Sequence, residues 1–226
     1  MPRTNTPRTI ATIALLAAAG TATAQISTSS IDTFDADNEG WRVGAAGTAP
    51  AFNPGTSFNG EPGFLSHFSD GGGPNGKFIM LNEESDWTGD YTDAGVTDIS
   101  LWANGVSGSD TIMWLGFDGP GGWFFTPGQA LSIADDWSRY EFDIEASDLI
   151  YAAGSGGTAT AADTLANVTQ FEIFTGPGPV SFASRGDLLR GGTSNNVIWF
   201  DNIAALPTPG TAAVLAFGGL LARRRR

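Results

Sequence analysis

The chain meets a backbone breaker every few residues. Asp70-Gly71-Gly72-Gly73-Pro74-Asn75-Gly76, Asp118-Gly119-Pro120-Gly121-Gly122 and Gly176-Pro177-Gly178-Pro179 are the densest of these, in a sequence of 226 residues with 31 Gly and 12 Pro. Such runs end helices and make turns. Between them lie short stretches rich in aromatic and β-branched residues, at 31–34, 63–68, 77–81, 97–103, 111–117, 123–125, 137–144, 168–175 and 196–204. Ile112 and Trp114, and Tyr140, Phe142 and Ile144, alternate with less apolar neighbours, the period of a strand with one buried face. Only 146–152 and 160–166 read as short helical turns. The pattern predicts an all-β fold, a two-sheet antiparallel β-sandwich of jelly-roll type. One domain over residues 31–206 suits the length.

The ends have a different character. Arg3 and Arg8 precede an apolar run from Ile10 to Gly20, and Ala22-Thr23-Ala24 follows. Basic region, apolar region and small-residue site, in that order, predict a signal peptide over residues 1–24, cut after Ala24 by signal peptidase. Residues 25–30 read as a linker. At the other end, an apolar stretch of 12 residues, 211–222, is closed by Arg223-Arg224-Arg225-Arg226. A permanent spanning helix needs about 20 residues. A short apolar helix ending in cations suits a transient membrane stop.

The segment 207–226 resembles the PEP-CTERM sorting signal, with Pro207-Thr208-Pro209, the apolar stretch and the terminal arginines in the family's order. The family's own motif is Pro-Glu-Pro, so Thr208 is a departure. The resemblance implies an exosortase-type processing protease as a partner. It also implies export to the cell envelope, surface or extracellular matrix of a Gram-negative-type bacterium.

Six of the 11 Lys and Arg lie in these two ends, whereas all 24 Asp and Glu lie between them. The region between therefore holds five cations against 24 acids, a formal charge of −19. That excess argues against nucleic acid as a partner, which requires a basic surface. It leaves neutral polysaccharides and divalent cations, and it also serves solubility. The chain has no cysteine, so disulfides, thiolate metal sites and thiol nucleophiles are excluded.

Phe34-Asp35 with Gly40-Trp41, Asp136-Trp137-Ser138-Arg139-Tyr140-Glu141-Phe142, and Trp199-Phe200-Asp201-Asn202-Ile203 give the middle of the chain a second likeness. It resembles the laminin B and galactose-binding-like group of jelly-roll domains, which includes many carbohydrate-binding modules. The resemblance implies a sandwich with an adhesive or glycan-binding role. Some members hold a structural calcium between the first and last strands. Asp35, Asp37, Glu39 and Asp201 are the corresponding oxygen ligands here, and carboxylates with backbone carbonyls suit Ca2+.

Three functional readings stand side by side: a non-catalytic glycan-binding module, a glycoside hydrolase, and a structural surface protein. Trp87 and Tyr91, in a polar turn sequence, and Trp123 and Phe124, after a Gly-rich turn, are the candidate sugar-stacking residues. Trp114, Trp137 and Trp199 sit in strand patterns and are expected in the core. For hydrolysis, Glu141, Asp143 and Glu145 would share one face of a strand, as in a group of β-glucanases. The polar-out alternation opposite Tyr140, Phe142 and Ile144 explains the same residues, and 145–149 reads as leaving the strand. The lone histidine, His67, lies in a strand pattern with no nucleophile elbow nearby and reads as structural.

Overall fold

In the computed structural model the described residues are 25–43, 51–57, 60–69, 79–134, 136–176 and 196–207. The expected signal peptide with Ala24, the 70–76 loop, Thr208, Pro209 and the apolar tail lie outside them. Along the chain the elements are β1 (Ile31–Asp32), β2 (Arg42–Val43), β3 (Ala51–Thr56), β4 (Pro62–Ser69), β5 (Ile79–Asn82) and β6 (Val96–Ser107). They continue with β7 (Thr111–Asp118), β8 (Phe124–Phe125), β9 (Gln129–Leu131), β10 (Trp137–Asp143), β11 (Ile150–Tyr151), α1 (Ala161–Leu165), β12 (Gln170–Gly176) and β13 (Asn196–Pro207). No described helix is long and apolar enough to cross a membrane.

The strands form two antiparallel sheets. The first runs β10-β6-β13-β4-β3, with β1 also paired to β13; the second runs β11-β8-β7-β12-β5-β2, with β9 also paired to β7. Long strands that follow one another in sequence change sheet: β4 to β5, β5 to β6, β6 to β7, β12 to β13. That alternation makes the sandwich a jelly roll, as the strand and turn pattern predicts.

The core lies between the sheets. Ile99, Leu101 and Ala103 of β6, Ile198 and Phe200 of β13 and Leu65 of β4 face Met113, Leu115 and Phe117 of β7 and Phe171 and Ile173 of β12. Phe142 and Ile144 are buried here and Tyr140 packs against them, as their period-two spacing predicts. His67 is buried, opposite Ile198 in register. The other parity of the second sheet is also covered. Trp114 and Phe174, register partners, form a separate cluster with Ile79, Trp123 and Phe125.

Two features depart from the pattern read in the sequence. Residues 146–148 form a turn and 150–151 the short strand β11, so no helix forms there. The expected turn at 160–166 does become α1. The strand β3 runs through Asn53-Pro54-Gly55, residues of low strand propensity, because it is an edge strand whose Pro54 owes no hydrogen bond to a further neighbour.

Candidate functional site

Two places in the molecule set a pair of tryptophans around one polar side chain. The first is inside. Asp32 of β1 is 6% exposed, and its Oδ2 accepts hydrogen bonds from Trp41 Nε1 and Trp87 Nε1, each at 2.6 Å. Trp87 stacks on Phe171 at 5.0 Å, with Trp41 edge-on to the same ring at 5.5 Å. Tyr91 donates its hydroxyl to the Trp87 carbonyl at 2.9 Å. The expectation that Trp87 and Tyr91 stack on sugars therefore fails, since both are buried at about 1% exposure or less. Polar neighbours suggested exposure, but the indole N–H finds its acceptor 55 residues away. Trp123 and Phe124 are buried as well. Trp123 packs on Phe125 and Phe174, and Phe124 on Tyr151.

The carboxylates near β1 divide into two groups. Glu39, at φ +45°, accepts from the Phe34 N–H at 3.2 Å, and its carboxyl shares a hydrogen bond with Asp32. Burial first, then the charge of Asp32, pushes the Glu39 carboxyl up to about 7. Burial likewise raises Asp32, against the opposing effect of its two indole donors. Asp201 is 1% exposed and accepts from the Ser57 hydroxyl and from the Asn202 N–H, the latter at 2.7 Å. Burial raises it too, and Asp35 adds a repulsive charge. Asp35 and Asp37 are exposed; Asp35 takes the Thr33 hydroxyl, and Asp37 accepts from the Glu39 N–H at 2.8 Å. The expected calcium set of Asp35, Asp37, Glu39 and Asp201 is thus split, with Glu39 turned to Asp32. Among the described residues no three His, Cys, Asp or Glu gather as metal ligands.

The expected three-carboxylate strand is also broken. β10 ends at Asp143, whose side chain accepts from the Glu145 N–H at 2.9 Å and turns the chain. Glu145 therefore leaves the face that Glu141 and Asp143 share. Arg139 pairs with Glu141 at 3.0 Å. Glu141 and Asp143 border an open groove with Gln129, Ser147 and Asp148.

The second tryptophan pair lies on the outward face of the first sheet. Register places Trp137 of β10, Asn104 of β6, Trp199 of β13 and Ser66 of β4 in one row across the strands. The next row holds Arg139, Trp102 and Asp201. Trp102, Trp137 and Trp199 are all half-buried. The expectation of Trp137 and Trp199 as core residues is corrected here. Trp137 shares its parity with Arg139 and Glu141, and Trp199 alternates with the core residues Ile198 and Phe200, so both face outward. Phe64 of β4, of the same parity as Ser66, packs beside them on this face, 4.6 Å from Trp199 and 5.9 Å from Trp137 between ring centroids, and is buried. Trp114, by contrast, is buried as expected.

No protein-family model matches the chain, and no curated protein matches it. Among solved structures, a non-crystalline-cellulose-specific carbohydrate-binding module, CBM28, is 13% identical with a TM-score of 0.46, covering 80% of this chain and 93% of that one. The CBM22-1 xylan-binding domain of Paenibacillus barcinonensis Xyn10C is 11% identical with a TM-score of 0.43, covering 82% and 99%. A family 30 carbohydrate-binding module of a cellulosomal cellulase of Clostridium thermocellum is 13% identical with a TM-score of 0.43, covering 83% and 93%. Likeness this distant assigns no ligand to this chain.

Proposed function

We propose that this protein is an exported, non-catalytic polysaccharide-binding sandwich, held at the envelope by its C-terminal sorting segment and released by an exosortase-type protease. The observation that carries the binding reading is the row of half-buried tryptophans on the outward face of the first sheet. Three adjacent strands gather Trp137, Trp102 and Trp199 on one face, and indole faces offer sugar C–H faces a large apolar surface. Partly exposed tryptophans grouped on one outward face suit a binding surface better than a finished core. Asp98, Glu141 and Asp143 share the outward parity of Trp102 and Trp137 along β6 and β10, and Arg139 is already paired with Glu141. Negative charge of this density repels uronates and sulfated chains, so the ligand is an uncharged polysaccharide.

Pull-down of the full chain on insoluble cellulose, xylan and a β-1,3-glucan, with alginate as the anionic control, tests this. Retention on a neutral glycan, lost in Trp199→Ala and without release of reducing sugar, is the expected result. Release of sugar would point to a hydrolase, and no retention on any glycan would leave a structural surface protein. The sorting reading is tested separately, by fractionating cells that carry the full chain or a chain truncated after residue 206. Equal distribution of the two would sink it.

A further inference from the structure

Asn104 sits in the tryptophan row, directly between Trp137 and Trp199 in register. The strands that carry the two indoles are second neighbours, with β6 between them. Strand spacing puts those backbones roughly 9.5 Å apart. The ring centroids nevertheless lie 6.3 Å from one another, inclined at 41°. The two side chains therefore lean together over the intervening strand, and Asn104 beneath them is 3% exposed. Its Oδ1 is buried and has no hydrogen-bond partner.

A buried acceptor without a donor costs stability, and native structures keep few of them. Apolar side chains could fill this place under two indoles at no such cost. The residue at this point is an amide whose oxygen becomes satisfied only if the rings part and a donor enters. We infer that Asn104 is the specificity-determining acceptor of the face: Trp137 and Trp199 cover it in the free protein, and a sugar hydroxyl reaching between them supplies its hydrogen bond. The inference rests on the polysaccharide reading of this face. It adds that the face distinguishes sugars by where they carry a hydroxyl, since a site left with an unpaired polar group rejects the analogue lacking the donor. Both indoles are partly exposed, so their parting does not require the sheet to unfold.

The test uses the full chain with cellohexaose, xylohexaose and a β-1,3-linked glucohexaose, followed by tryptophan fluorescence, alongside thermal unfolding. Asn104→Leu keeps the size and removes the unpaired oxygen. It is expected to hold or raise the unfolding midpoint while weakening the oligosaccharide that the wild type binds about tenfold. Asn104→Asp keeps an acceptor and is expected to retain more affinity than Asn104→Leu. If Asn104→Leu binds like the wild type while Trp199→Ala does not, the face stands and the role of Asn104 is overturned. A lower midpoint in Asn104→Leu, or equal losses in the Leu and Asp variants, makes Asn104 structural and overturns it too. If the wild type binds none of cellohexaose, xylohexaose and the β-1,3-linked glucohexaose, the polysaccharide reading falls and takes this inference with it.

Discussion

Both tryptophan pairs enclose a polar side chain, yet they differ in one respect. Around Asp32 both indole N–H groups point at the carboxylate and each finds an oxygen. Around Asn104 the two indoles lean together, 6.3 Å between ring centroids, and the amide oxygen has no donor. The first arrangement is complete in the protein alone, so its worth is stability. The second is incomplete in the protein alone, so its worth depends on something that arrives. Residue type does not tell the two apart; the direction of the indole N–H and the fate of the polar atom do.

The largest separation is expected from matched truncations. Trp87→Ala empties a buried site and should cost about 3–5 kcal/mol of stability in denaturant unfolding. Trp199→Ala, half-buried, should cost much less and abolish glycan retention. If Trp199→Ala proves as costly as Trp87→Ala, the contrast between a finished core and a waiting face is broken. Next in size is Asp32→Ala, which leaves two buried indole donors unpaired and should cost about 2–4 kcal/mol. A neutral result there would show that the carboxylate contributes little beyond filling space.

Smaller still is a pH effect. The Glu39 carboxyl is raised from its ordinary 4.5 to about 7 in the folded chain, so the fold binds its proton more tightly than the unfolded chain does. Stability from this group is complete below about 4.5 and is lost as pH rises through 7. The unfolding midpoint is expected to fall by a few degrees between pH 5 and pH 8, and Glu39→Gln to flatten that slope. A slope unchanged by Glu39→Gln would place its origin elsewhere. The smallest effect is expected from metal. With the acidic residues near β1 divided between Asp32 and Ser57, excess calcium after EDTA should leave the midpoint where it was. A clear rise, lost in Asp201→Ala, would mean that the loop closes around an ion.

The sandwich was legible because its signals are local. Glycine and proline runs set the turns, and Tyr140, Phe142 and Ile144 gave the parity of β10. The same parity places Trp137 beside Arg139 and Glu141 on the outward face, against the hydrophobicity of its own side chain. Trp87 was misread for the opposite reason. Its neighbours Ser85, Asp86, Thr88 and Asp90 are polar, while its partners Asp32 and Phe171 are far away in sequence. Nothing local marked Asn104, because its significance comes from two other strands. The strand β3 escaped notice because Pro54 and Gly55 suit only an edge, and edges are defined by the sheet.

The last described strand, β13, has its own consequence. It lies in the middle of the first sheet, between β6 and β4, and also pairs with β1. Neither half of that sheet can join the other until residues 196–207 are present, and the tryptophan row spans the junction. Pairings across so much sequence form slowly, because loop closure must precede the contacts that reward it. Completion of the first sheet, and with it the tryptophan row, therefore waits for the last described strand.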